Sequence, residues 1–249
     1  MMTLRTILRT GAVLLVLAAT AAAPARAQND EKPKNLKVLP ADIGKRDLDG
    51  IMHGWSDALG VRCTFCHEQK VPGDFRSIDF ASDALAHKET ARRMFTMVRD
   101  LNGGALPKAA GEDDAAVSCV TCHRGLTNPA TLDAVVLTTV RKDGIDAAVA
   151  KYRELREKYY GSGSYDFGED SLDPAINALA GDPEGLDAAA ALVALDVEMF
   201  PADAETRVKQ AQVLMLKGDK AGAGAALAEA LKLDPENRHA KRMQQQLGQ

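Results

Sequence analysis

The chain has 249 residues, 46% hydrophobic but only 4% aromatic, and its 31 Lys and Arg stand against 35 Asp and Glu for a formal charge of −4. This length accommodates an export segment followed by two modest domains. Mild acidity offers no basic footprint for nucleic acid and no reason to invoke an acidic substrate. Beyond residue 27 no stretch approaches the roughly 18 apolar residues of a membrane span.

Arg5 and Arg9 precede an apolar run from Gly11 to Ala23, and Ala25-Arg26-Ala27 follows. A positive start, a short apolar centre and a small-x-small site predict a signal peptide over 1–27, cleaved after Ala27. The mature chain is then expected in the periplasm, without a membrane span. Asn29–Lys37 is polar and reads as mobile, and Val38-Leu39-Pro40 ends an extended stretch. A helix is predicted from Arg46 to Leu59, because Leu48, Ile51, Met52, Trp55 and Leu59 share one face. Gly60 stops it. His53 is rotated about 100° from Met52 and should point elsewhere.

Cys63-Thr64-Phe65-Cys66-His67 comes next. A second helix is predicted from Asp83 to Leu101, with Ala91, Met94, Phe95, Val98 and Leu101 as its apolar stripe. His87, near its start, reads as solvent-facing or capping. Asn102-Gly103-Gly104 is expected to end this helix, and Pro107–Ala116 to form a loop into Cys119-Val120-Thr121-Cys122-His123.

All four cysteines lie in these two Cys-x-x-Cys-His segments, the pattern for covalent attachment of a c-type haem. Two thiols at this spacing reach the two vinyl groups of one porphyrin, and the adjacent imidazole reaches the iron. A zinc site or paired disulfides are the alternatives, but zinc does not explain a histidine directly after each pair. The expected cofactors are two covalently attached haem c groups, on Cys63, Cys66 and His67 and on Cys119, Cys122 and His123. Their porphyrins would supply the flat apolar surface that the scarce aromatics do not. Met52 is the candidate distal ligand of the first iron and Met94 of the second, with Met97 as rival; a Met at helical spacing also reads as plain core.

From residue 131 the composition turns to small residues suited to close helix packing. Thr131–Arg141 reads as a connector or short helix, Asp143–Tyr159 as a helix, and Gly161-Ser162-Gly163-Ser164 as a flexible break. Met199-Phe200-Pro201-Ala202-Asp203 recurs 34 residues later as Leu233-Asp234-Pro235-Glu236-Asn237, and the same offset takes Val193 to Leu227 and Val197 to Leu231. Paired helices at this period resemble the tetratricopeptide repeat. They could form a protein-docking surface or a purely structural extension. His239 reads as a surface residue.

The blocks Val38-Leu39-Pro40, Ile51-Met52, Ala58–His67, Asp79–Asp83, Ala91-Arg92-Arg93-Met94 and Val120–Gly125 resemble the multihaem cytochrome subunit of photosynthetic reaction centres. In that family each haem unit is a helix, a turn and a Cys-x-x-Cys-His segment, with the distal Met on the helix; Met52 and Met94 match that position. Two features depart from the family. Its reaction-centre members carry four haems against one pair of motifs here, and the stretch between Met94 and Cys119 is expanded. The expectation is an all-α chain: signal peptide 1–27, a helical dihaem cytochrome c domain over 28–130 and a small tetratricopeptide-like domain over 131–249. Its expected work is electron transfer between periplasmic or membrane-bound redox proteins, with no catalytic residues, since a Met for each iron leaves neither site open. A peroxidase-like dihaem oxidoreductase and a redox-sensing scaffold are the alternatives.

Overall fold

A computed structural model describes residues 32–111 and 114–248; the predicted export segment lies outside the described residues. The fold is all-α but for a two-stranded ribbon. Helix α1 (Lys45–Leu59) carries the amphipathic stripe and ends at Gly60, whose φ of 65° lets its N–H turn back to the Asp57 carbonyl. The first motif begins as a tight turn over Cys63–Phe65. Strands β1 (Glu68–Gln69) and β2 (Ile78–Asp79) then pair antiparallel, Glu68 facing Asp79, and close the loop between them.

Helix α2 (Ala86–Asp100) does not stop at Asn102-Gly103-Gly104 as expected. Leu101–Ala105 widens into a π turn and runs on into α3 (Leu106–Ala110). Pro107 sits in the first turn of α3, directly after the π turn. The stretch expected to be a loop from Pro107 is therefore helical until Gly111, whose φ of 70° ends it. Helix α4 (Cys119–His123) is the second motif itself, and the N–H of Ser118 before it donates to Thr121 Oγ1 at 3.0 Å.

Seven helices follow: α5 (Leu132–Asp143), α6 (Ile145–Tyr159), α7 (Asp173–Ala180), α8 (Leu186–Met199), α9 (Ala204–Leu216), α10 (Lys220–Leu233) and α11 (Arg238–Leu247). Of the two readings of 131–141, connector or short helix, the structure has the helix, 12 residues long. Helices α8 and α10, and α9 and α11, start 34 residues apart. The caps repeat too: Asp203 accepts from the Thr206 N–H, and Asn237 from the Ala240 N–H. Val193 and Leu227, equivalent in the period, are both buried. Two cores result. One gathers Leu132, Tyr152, Leu172 and Leu192; the other gathers Val208, Leu227 and Met243. His239 is not a free surface residue: Nε2 lies 3.1 Å from Gln212 Nε2, and Nδ1 lies 3.5 Å from Glu205.

The first hundred described residues contrast sharply with these helices. Among the described residues between 32 and 131 the only buried apolar ones are Ala58, Ile78 and Leu126. The glycine–serine stretch at 161–164, expected to be a flexible break, instead joins the two parts. Ser164 is 4% exposed and its hydroxyl donates to the Arg124 carbonyl at 2.6 Å. Tyr165 and Phe167 anchor it on the C-terminal side through edge contacts with Tyr159 and Tyr152.

Candidate haem-attachment sites

The first motif is one turn of helix in which the His67 N–H donates to the Cys63 carbonyl at 2.9 Å. Cys63, Cys66 and His67 face a cavity of about 760 Å³ whose opposite wall is the stripe of α1, with Leu48, Met52, Trp55 and Leu59. That volume falls in the range of cofactor pockets. The fold thus brings Met52 and the first motif to one space. His53 also reaches the lining, contrary to the expectation that it points away, but it is exposed and its Nδ1 donates to the Asp49 carbonyl at 2.7 Å.

Burial, reinforced by the charge of Lys88, lowers the His67 pKa and favours the neutral imidazole that a metal requires. The Phe80 backbone pulls the other way, and Nδ1 is buried without a hydrogen-bond partner. The ring of Phe80 meets His67 edge-on at 5.1 Å. His87, read as merely solvent-facing or capping, braces the motif: it stacks on Phe65 at 4.0 Å, and its Nδ1 donates to the Phe65 carbonyl at 3.0 Å.

Beneath this cavity lies an ionic bracket not seen in the sequence. Arg92, 6% exposed, binds Asp83 at 2.9 Å, Glu89 at 3.1 Å and the Asn35 carbonyl at 3.2 Å. Lys37 reaches the other Asp83 oxygen at 2.8 Å, while Lys88 holds the Phe80 and Ser82 carbonyls at 2.9 and 2.8 Å. The Arg92 guanidinium, then Lys37 and Asn35, hold the Asp83 carboxyl far below its ordinary range. Asp79 accepts from the Ala81 and Ser82 N–H groups. Asp79–Asp83 and Arg92, which carried part of the family resemblance, therefore fasten the polar segment before α1 and the loop after β2 to α2.

At the second motif His123 is buried and its Nδ1 lies 2.7 Å from the Leu126 carbonyl. A carbonyl can only accept, so Nδ1 carries a proton and Nε2 is the nitrogen left to ligate iron. Asn102 clamps the approach: its side chain accepts from the Val117 N–H at 2.9 Å and donates to the Val117 carbonyl at 2.7 Å. Read in the sequence as a helix terminator, Asn102 holds Val117, two positions before the turn that begins at Cys119. Met94 and Met97 stand on α2 at 37% and 46% exposure, outside the first cavity. Leu101, just after α2, and Val120 in the second motif are exposed apolar residues as well.

The two motifs meet through backbone. The Gly125 N–H donates to the Ala58 carbonyl at 2.9 Å, just before the end of α1. A Cβ on Gly60 would lie 3.0 Å from the Gly125 carbonyl carbon and closer still to its oxygen. Arg124 and Gly125 both have positive φ, 45° and 85°, and Ser164 bonds the Arg124 carbonyl from the far side.

These residues fit c-type haem on three counts. A motif histidine is locked with Nε2 free, an apolar cavity opens on the other motif, and the surrounding hundred residues bury almost no apolar side chains on one another.

Residues 74–173 match the family described as the photosynthetic reaction centre cytochrome C subunit. This window holds Met94 and the second motif, begins after the first, and runs on through α5 and α6. Over 90 residues the chain is 33% identical to the photosynthetic reaction center cytochrome c subunit of Thermochromatium tepidum, covering 32% of this chain and 21% of that protein. It is 30% identical over 108 residues to the subunit of Rubrivivax gelatinosus (37% and 28%). Cytochrome c-554 of Chloroflexus aurantiacus matches at 36% over 73 residues (29% and 16%). The chain thus spans less than a third of each of these relatives, and it resembles reaction centre cytochromes over that part. No solved structure matches.

Proposed function

We propose that this chain is an exported dihaem c-type cytochrome that carries electrons between redox proteins. The observation that carries the reading is the pair of Cys-x-x-Cys-His turns, one with its histidine held as the Nε2 ligand by the Leu126 carbonyl and one opening on an apolar cavity faced by Met52. Cys63 and Cys66 would hold the first haem and Cys119 and Cys122 the second, by thioether bonds. His67 and His123 would be the proximal ligands, Met52 and Met94 the distal ones. When bound, each haem supplies one reversible ferric–ferrous couple. The chain's own residues orient the imidazoles, keep the cavity wall apolar and surround the first site with cations that favour the ferrous state. The helical array from α5 to α11 clamps the second motif through Ser164; its repeats could further serve as a docking surface.

The deciding experiment is mass spectrometry and a spectral redox titration of purified periplasmic material. A chain starting after Ala27 with two haem masses and six-coordinate low-spin spectra is expected. Zinc without haem would end the reading, and a high-spin haem would favour an oxidoreductase.

A further inference from the structure

The net charge of −4 averages over an uneven surface. Nine Lys and Arg side chains line the cavity at the first motif, against two carboxylates, Asp49 and Asp79. Several of the nine are engaged with Asp79 or Asp83. Lys32, Lys45, Arg62 and Arg76 are exposed and form no ion pair among the described residues. The two propionates of a haem can take up two positive charges, which leaves this rim positive. Beside it the loop between β1 and β2 presents Val71, 54% exposed, and Phe75, 64% exposed. That loop is held in shape by Ser77, which bonds the Val71 N–H and the Val71 and Asp74 carbonyls.

A small apolar spot ringed by unpaired cations suits a short-lived encounter. Charge steers the approach and sets orientation, and the limited apolar contact permits fast release. We propose that this face docks a redox protein with an acidic surface, and that the first haem is the port through which the electron crosses. The inference rests on the haem-carrier reading. In the step itself one electron passes between the iron of the first haem and the partner's redox centre, so that one is oxidised as the other is reduced. No bond is made and no proton moves.

The test uses oxidised holoprotein and two reductants of opposite charge in stopped flow: reduced cytochrome b5, an acidic redox protein, and the hexaammineruthenium(II) cation. Screening lengths of about 30 Å at 0.01 M salt shrink to about 8 Å at 0.15 M. Over this range the reaction with cytochrome b5 should slow, and that with the ruthenium cation should quicken. The double variant Lys45→Glu/Arg76→Glu should lose about tenfold in the low-salt rate with cytochrome b5. Arg141→Glu/Lys142→Glu on α5 should lose none. Full haem content with flat or opposite salt slopes overturns the docking inference alone, as do equal effects of the two double variants. Depletion of the protein by phosphatidylglycerol vesicles without the salt slopes overturns it in favour of a lipid surface. A chain without haem overturns both this inference and the reading beneath it.

Discussion

Replacing Gly60 by alanine would place a methyl carbon 3.0 Å from the Gly125 carbonyl carbon, at a residue whose φ is 65°. The left-handed conformation costs a non-glycine residue about 1–2 kcal/mol. The clash has no flexible side chain to absorb it, because both partners are backbone. Relief requires the Gly125 turn to move and its hydrogen bond to the Ala58 carbonyl to break, about 0.5–1.5 kcal/mol more. Overpacking strain adds about 1–3 kcal/mol. The total, about 2.5–6.5 kcal/mol, is a large part of a typical stability. Gly54, on the same helix, has nothing within 4 Å of a built Cβ. Gly54→Ala should therefore stabilise by about 0.5–1 kcal/mol through helix propensity. Urea unfolding of both holoprotein variants, followed by the haem Soret band and far-ultraviolet dichroism, measures the two shifts. A Gly60→Ala protein within about 1 kcal/mol of wild type would refute the reasoning.

Met52→His should keep the first iron six-coordinate and lower its potential, Met52→Ala should move it toward high spin, and His53→Ala should leave the potential nearly unchanged in a redox titration. At the second iron the Met–iron absorption band should vanish with Met94→Ala and survive Met97→Ala; the reverse would reassign the ligand. Replacing all four cysteines by alanine should leave residues 28–130 without hydrogen-exchange protection while α5 to α11 keep theirs, since only the latter have apolar cores of their own. Burial holds the Asp196 carboxyl at about 7, Lys209 opposing and Asp173, Asp170 and Asp203 assisting. The native chain then binds a proton that the unfolded chain releases near 3.8, so stability should fall as pH rises from about 4 to 7, by up to about 1.4 kcal/mol per unit, and level off above. Thermal melts against pH should show that slope in the wild type and lose it in Asp196→Asn.

Much of this was legible because it is local. The stripe on α1, the Gly60 stop and both motifs depend on residues within one or two helical turns, and the 34-residue period relating α8 to α10 is legible as plain self-similarity. What escaped depends on distant partners or on context. Gly103 and Gly104 stop a helix in isolation, yet here they tolerate a π turn because Asn102 is tied to Val117, 15 residues away. Ser164 looks like a linker residue until Arg124, 40 residues earlier, is placed beside it. Arg92 reads as a solvated helix charge, whereas its partner Asn35 lies 57 residues upstream. Composition likewise missed the cationic rim, because carboxylates elsewhere in the sequence cancel it in the sum.

On the proposed dihaem reading, the direct backbone contact between Gly60 and Gly125 would separate two variables of a relay. Residues that line the haem sites can be exchanged over generations, and each exchange retunes a potential. Where the two peptide segments meet at Gly60 and Gly125, the contact is main chain on main chain. The spacing of the attachment segments is therefore set by peptide geometry, which does not answer to side-chain substitution or rotamer change. On that reading, selection could adjust the driving force of the electron's hop while the span it must tunnel stayed inherited.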